Sequence, residues 1–392
     1  MNSVRLLTII SALFYIAVGI SSPLVTLYLE SLGASYGQIS LILSSVVLTM
    51  FFANYAWGRL SDRLGRRKPL LVAGLLILTT SFFLLSRAPT GNWAWAARIL
   101  EGTGTAAYGT VSLALMGDLL EHERQKGRRM GVFRGLGSLG FATGAIIGGR
   151  LADATSIAQT LMVCSGLYLV AALLSLTIRE IKSESAPSAP ELSTRSLTKG
   201  ASALPVLFLL GVLFWTAAHS ASASMWPNYM KTLGYSKTAS GALWGMAAAI
   251  EFPAMVVAGS LSDAIGRTPL LIAGGSFISL TNLGYVLLAG VFPALLCIQV
   301  LRGFGFGSYT TTAMTFATER SEQQQRGSKS GIFNTMGNAG SMLGTFLGGT
   351  LVQAFNFQVM YGVCAGLALT AALCFLVLRY RDRKQAAVAL ST

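Results

Sequence analysis

The chain reads as an all-α integral membrane protein, with 12 transmembrane helices in two pseudo-symmetric six-helix bundles. Three observations predict this. Of its 392 residues, 53% are apolar and only 11% charged, whereas a soluble domain carries about 25% charged residues. Apolar runs long enough to cross roughly 30 Å of hydrocarbon, at about 1.5 Å per residue, recur along the whole length. Finally, the segment Gly58-Arg59-Leu60-Ser61-Asp62-Arg63-Leu64-Gly65-Arg66 returns about 200 residues later as Gly259-Ser260-Leu261-Ser262-Asp263-Ala264-Ile265-Gly266-Arg267.

Six spans are expected in the first half, near residues 5–29, 36–57, 69–87, 93–118, 129–152 and 158–178. A second six fall near 204–229, 238–258, 268–288, 292–317, 328–353 and 358–378. The first run has no small-residue cleavage site and begins a matched repeat, so it is read as a span rather than a signal peptide. Tyr28 to Gly33 aligns with Tyr229 to Gly234, and Gly102, Gly104 and Tyr108 align with Gly303, Gly305 and Tyr309. The glycine series 131, 137, 140, 144, 148, 149 answers the series 331, 337, 340, 344, 348, 349. So long and apolar a repeat indicates two homologous helix bundles, not a solenoid. Residues 1–178 and 204–392 form the two domains, and residues 179–203, rich in Ser, Pro and charge, read as a linker that cannot bury a core.

Basic residues set the orientation, because positive charge in short loops stays on the cytoplasmic side. The even-numbered loops and the tail hold most of the Lys and Arg, including Arg59, Arg63, Arg66, Arg67, Lys68, Arg124, Arg128, Arg129, Arg267, Arg326 and Arg381. The odd-numbered loops offer little beyond Arg87, Lys231 and Lys237. Both termini are therefore expected in the cytoplasm, and the membrane is expected to be a bacterial cytoplasmic (inner) one. This asymmetry, together with anionic lipid headgroups, accounts for the net charge of +14, so nucleic-acid binding is not indicated. The four cysteines lie within apolar runs without close pairing, which suggests neither a disulfide nor a metal cage. There is no phosphate-binding loop for ATP, and His122-Glu123 lacks the second histidine of a zinc helix. No cofactor or enzyme activity is expected, and the energy source should be an ion gradient.

The loop Gly58-x-Leu60-x-Asp62-Arg63-x-Gly65-Arg66-Arg67 resembles the signature between helices 2 and 3 of the major facilitator superfamily. In the fourth span Arg98-Ile99-Leu100-Glu101-Gly102-Thr103-Gly104 resembles a second family motif, whose arginine is associated with proton coupling. In the fifth span Gly131, Gly140 and Gly144-Ala145-Ile146-Ile147-Gly148-Gly149 have the spacing of the antiporter motif, with Ala145 where that motif has a proline. The resemblance covers essentially the whole chain. It implies a secondary transporter working by alternating access, with helices 1, 4, 7 and 10 lining a cavity.

The repeated loops suggest a charge latch in each half. Gly58, Gly65, Gly259 and Gly266 allow close packing beside Asp62 and Asp263. Arg66 and Arg267 are expected to reach Asp118 and Glu319 at the ends of helices 4 and 10, stabilising the outward-open state; alternatively the basic residues only set topology. The glycines at 140, 144, 148 and 149 share one face, where another helix can approach closely.

Ionisable groups within spans are the candidates for chemistry, since each costs several kcal/mol, roughly, unless paired or wetted. Arg98 and Glu101 are three residues apart and share a face with Tyr108. Glu101 aligns with Arg302, which lies on a face with Gln299, Phe306 and Tyr309. Glu101 could exchange partners between Arg98, Arg302 and a proton or cationic substrate, or it could form a permanent pair with Arg98. Glu251 is either a structural protonated acid or a cation site. His219, one turn from Trp215, is either a proton exchanger or a packing residue. The favoured function is proton-coupled export of small amphipathic or cationic compounds by a chain acting as a monomer. The alternative is uptake or exchange of a polar metabolite such as a sugar or organic anion, with Arg98 and Arg302 as clamps. A non-transporting sensor or scaffold is a remote third reading.

Overall fold

A computed structural model describes residues 3–120, 126–178, 204–319 and 326–391. The expected linker at 179–203 lies outside them, as do Arg124, Arg320 and the other loop residues at 121–125 and 320–325. All regular structure among the described residues is helical. In order the helices are α1 (Ser3–Ser21), α2 (Val25–Ser31), α3 (Tyr36–Leu64), α4 (Lys68–Ser86), α5 (Gly91–Leu119), α6 (Lys126–Ala154) and α7 (Ile157–Ser175). The second half continues with α8 (Val206–Thr232), α9 (Lys237–Ile265), α10 (Arg267–Leu288), α11 (Phe292–Glu319), α12 (Arg326–Ala354) and α13 (Phe357–Ser391).

Thirteen helices make 12 spans because the first is broken. The run expected to be continuous over residues 5–29 stops at Ser21 and resumes at Val25 as α2. Pro23 lies in the gap, and a proline can neither donate a backbone bond nor fit against the preceding turn. Eight helices, α1, α3, α4, α7, α8, α9, α10 and α13, are long and apolar enough by themselves to cross a membrane. The other four, α5, α6, α11 and α12, are 28 or 29 residues long but carry glycine rows and charge.

Their ends follow the local sequence. Ser35 caps α3 by accepting from the Gln38 amide while the Gln38 side chain accepts from the Ser35 amide, which satisfies two otherwise unpaired donors. At the far end Gly65 takes a left-handed φ of 59°, and Gly266 takes 90° at the matching turn between α9 and α10. Only glycine enters that region without steric cost, so the repeat holds down to individual backbone torsions.

The helices pack into two compact units, one of residues 1–193 and 230–248, the other of 194–229 and 249–392. In the first, α4 packs on α5 and α7, and α1 packs on α6 and α7. In the second, α10 packs on α11 and α13. The α4–α7 contact carries a bond from Ser165 Oγ to the Thr79 carbonyl at 2.8 Å; in the second unit Ser279 Oγ donates to the Ala365 carbonyl at 2.9 Å. These are the same positions with donor and acceptor exchanged. Glycine seams draw further helices together. A Cβ on Gly140, Gly144 or Gly148 would strike the backbone of Ala12, Ile16 or Ile20 on α1. Gly340, Gly344 and Gly348 meet Leu213, Ala217 and Ala221 on α8 in the same way.

Candidate functional site

In the first unit the intramembrane charge closes on itself. Arg98 and Glu101 lie one turn apart on the inward stripe of α5, which also buries Gly102, Gly104, Tyr108 and Ser112. Arg98 Nη1 donates to Glu101 Oε2, and the two side chains are 10% and 14% exposed. An unpaired charge there would be costly, and pairing within a helix face is the cheapest remedy the sequence permits. Cys164 and Tyr168 of α7 lie within electrostatic reach of Glu101. All four cysteines are free, and Cys164 Sγ donates to the Ala17 carbonyl at 3.5 Å. Tyr108 stacks on Phe14 of α1 with ring centroids 3.7 Å apart. It is buried against α1 and α4, where Gly74 makes room for it.

The second unit keeps the scaffold and changes the chemistry. Gln299 stands where the first unit has Arg98, and Arg302 stands where it has Glu101. Tyr309 stacks on Trp215 at 3.6 Å, the counterpart of the Tyr108–Phe14 pair. Trp215 Nε1 donates to the Gly274 carbonyl at 3.3 Å. His219 continues the stack, with its ring 5.1 Å from Trp215 and 5.0 Å from Phe306. Arg302 is buried and acts electrostatically on both Glu251 of α9 and His219 of α8. The structure thus brings Trp215, His219, Phe306 and Tyr309 into one stack, within the field of the Arg302 charge, which also acts on Glu251. Gln299 is held by the Tyr285 hydroxyl, which donates to its Oε1 at 2.7 Å.

The repeated loop requires one correction. Asp118 is met by Arg67, not by Arg66: Arg67 Nε pairs with Asp118 Oδ2, and Arg67 Nη2 donates to Oδ1 at 3.2 Å. The physical reason is register. Lys68-Pro69-Leu70 matches Thr268-Pro269-Leu270 with an offset one residue shorter than Gly65 and Gly266 show. Arg66 is the extra residue of the first loop, and Arg67 is the true counterpart of Arg267. Both arginines stand at the start of the following helix, α4 or α10. Arg267 pairs with Asp263 at 2.5 Å and also donates to Ser262. The Asp62 and Glu319 side chains lie outside the described ones.

The glycines of α6 serve two partners. Gly140, Gly144 and Gly148 admit α1, while Gly149 faces Lys237 and Thr238 at the start of α9. Gly241 and Gly245 of α9 in turn face the backbone of Ala145 and Ala142. Asp153, just beyond this seam, accepts from the Thr238 amide and hydroxyl, both at 2.7 Å, and from Lys237 Nζ at 3.3 Å. Lys231 Nζ pairs with Glu30 at 2.9 Å. Sequence reasoning missed these two pairs and the Tyr285–Gln299 bond. Asp153 is flagged only by its place after the glycine row, and Tyr285 only by its alignment with Leu85.

A profile of the Major Facilitator Superfamily matches residues 7–337 and 283–391. The chain is 25% identical over 378 residues to the maltose permease of Geobacillus stearothermophilus, covering 95% of this chain and 93% of that one. It is 27% identical over 334 residues to multidrug resistance protein MdtH of Aeromonas hydrophila, covering 84% and 82%. The crystal structure of the nucleoside transporter NupG superposes with a TM-score of 0.83 at 15% identity, covering 96% of this chain and 99% of that one; this likeness concerns the fold alone. With its duplicated all-helical fold and a profile match running almost end to end, the chain is a multi-pass membrane transporter rather than an enzyme, and it belongs to the major facilitator superfamily.

Proposed function

We propose that the protein is a proton-coupled exporter of small amphipathic or cationic compounds, working by alternating access as a monomer in a bacterial inner membrane with both termini cytoplasmic. The observation that carries this reading is the Arg98–Glu101 pair, a carboxylate inside a span whose only described ionic partner is the arginine one turn away. A carboxylate so placed has three ways to be neutralised: by Arg98, by a proton, or by a cationic substrate. Competition among the three exchanges a proton for a cation. The similarity to a multidrug resistance protein supports the choice of substrate class. Arg67–Asp118 and Arg267–Asp263 act on the cytoplasmic side as the charge latches of the cycle.

The test is proton movement in proteoliposomes holding the purified protein under an imposed pH gradient, challenged with lipophilic cations, sugars and organic anions. Proton efflux triggered by a cation, and lost in Glu101→Gln, is the expected result. Gradient-driven transport that survives Glu101→Gln unchanged removes that residue from coupling. The second reading, transport of a polar metabolite such as a sugar or organic anion, is favoured by buried Arg302 and by the likeness to a maltose permease. A response to sugars or anions alone would establish it.

A further inference from the structure

The two halves expose the same row of positions on matching helices and fill it differently. The packed face of α3 is turned to α5, where Gly102 leaves room for Val46 and Thr49, and Gly58 lies beside Thr110. On the opposite face Leu48, Phe52 and Tyr55 are 45%, 64% and 58% exposed. Arg59 and Arg63 continue the row and are exposed as well. Steps of three or four residues hold these side chains on one stripe of the helix. It is apolar at Leu48 and Phe52, amphipathic at Tyr55 and basic at its end.

α9 exposes the positions in register with these five, and there the residues are Ala249, Pro253, Val256, Ser260 and Ala264. Exposure is therefore a property of the fold, whereas the aromatic and basic character belongs to the first half alone. Setting topology does not account for it. Positive charge orients a loop wherever in the loop it sits, and needs no tyrosine in line with it.

The arginines of the stripe are also uncommitted. Arg67 is held by Asp118, Arg98 by Glu101 and Arg267 by Asp263. Arg59, Arg63 and Arg66, the last in the turn that follows, enter no ion pair among the described residues. The Arg59 guanidinium lies over the Tyr55 ring, 5.0 Å from its centroid. Such stacking positions the group and leaves the N–H donors at its edge available. Asp62 falls in the same turn, so that one carboxylate is set against three arginines and the helix end stays positive.

Length fits as well. From Leu48 to Arg63 the stripe runs about 22 Å at about 1.5 Å per residue, close to the depth of one leaflet with its headgroups, about 20–22 Å. We infer that this face of α3 is a binding site for one anionic phospholipid. An acyl chain lies along Leu48 and Phe52, Tyr55 stands at the level of the ester groups, and Arg59 and Arg63 grip the phosphate, which their planar forks fit. The basic tail of α13 does not gather its charge in this way. Arg379, Arg381 and Arg383 are two residues apart, so successive ones point to nearly opposite sides of the helix.

Native mass spectrometry of the full-length protein, titrated in detergent with palmitoyl-oleoyl phosphatidylglycerol, tests the site by counting retained lipid. Wild type should hold one copy tightly. The double substitution Arg59→Gln with Arg63→Gln should weaken it about tenfold or more, whereas Arg381→Gln with Arg383→Gln, an equal loss of charge, should change it by less than about twofold. Equal losses would make the attraction a matter of overall charge and overturn the site. A wild type that retains no more lipid than the Arg59/Arg63 variant would show that another part of the chain covers this face, which overturns it too. Phosphatidylethanolamine with the same chains should bind about tenfold more weakly; equal affinity for the two lipids defeats the role given to the arginines. Excess glycerol 3-phosphate should not displace the lipid, and displacement would reduce the site to one for a free anion. Finally, Val256→Tyr, Ser260→Arg and Ala264→Arg together copy the stripe onto α9 and should raise the count from one lipid to two. A count that stays at one contradicts the assignment of binding to the tyrosine and arginines.

Discussion

The first unit settles its buried charge within a single helix, Arg98 against Glu101 on α5, while the second spreads its ionisable groups over three helices, His219 on α8, Glu251 on α9 and Arg302 on α11. Around these sites the scaffolds coincide. The aromatic stacks Phe14–Tyr108 and Trp215–Tyr309 differ by 0.1 Å in centroid separation, 3.7 against 3.6 Å. Glycine seams bind α1 to α6 and α8 to α12 at matching positions. The difference teaches that duplication kept what close packing demands and left the charged positions free to diverge. A locally closed ion pair can open and reclose without disturbing other helices, whereas a distributed set couples three helices to any change in one charge.

The sharpest way to break the comparison is to remove one partner of the closed pair. Glu101→Ala leaves Arg98 buried with its charge uncompensated and should cost about 3–5 kcal/mol. The double substitution of Arg98 and Glu101 by leucine should recover most of that loss, as thermal unfolding in detergent would show. Next come the seams, where the units should respond alike. Gly144→Ala drives a methyl group into the Ile16 backbone and Gly344→Ala drives one into Ala217, and each should destabilise its unit by about 1–3 kcal/mol. Unequal losses would show that the seams are not equivalent. On α10, Asn282→Leu removes an Oδ1 that has no hydrogen-bond partner among the described residues and imitates the apolar Phe82 of the first unit. It should change stability by no more than about 1 kcal/mol, because a lost hydrogen bond offsets a relieved polar burial.

The Asp153 cap adds a pH signature confined to the first unit. Partial burial acts to raise the pKa of this carboxyl, but hydrogen bonds from Thr238 and Lys237 outweigh it and hold the pKa below the ordinary value of 3.8. A group with a lowered folded-state pKa contributes stability above its unfolded value and loses it as pH falls through the folded one. The tie should therefore be intact at neutral pH and weaken only in strong acid. Asp153→Asn should abolish that acid-dependent step in a pH series of melting temperatures. Smallest of all, Arg67→Ala should cost about 0.2–1 kcal/mol, as partly exposed pairs do, and should cost more than Arg66→Ala in the same assay.

Much of the fold was legible because glycine and proline positions recur at a nearly constant offset, and such positions report backbone geometry directly. The offset itself misled at one place. A single extra residue, Arg66, shifted the register of the first loop and hid the pairing of Arg67 with Asp118. The break at Ser22–Leu24 was hidden because hydropathy does not notice one proline in an apolar run. At the site, Arg98 and Glu101 stood out since charge within a span is rare. Asn282, Tyr285 and Tyr361 did not, because a lone Asn or Tyr in an apolar helix is ordinarily a packing residue. They stand out only when each is set beside Phe82, Leu85 or Leu161, its apolar counterpart in the first half.

The allotment of residues 230–248 to the first unit has a consequence for the chain as a polymer. The polypeptide leaves the first half through residues 179–203, builds α8, and then sends the beginning of α9 back against α6 before continuing. A chain cleaved within 179–203 would therefore yield two fragments that are not self-sufficient. The first would lack the strip that covers Ala142, Ala145 and Gly149, and the second would carry that strip without its seat. Produced together from separate messages, the fragments should find each other and be recovered as one complex. The first fragment produced alone should be cleared by membrane proteases, with a bare glycine-lined groove as the mark of its missing half.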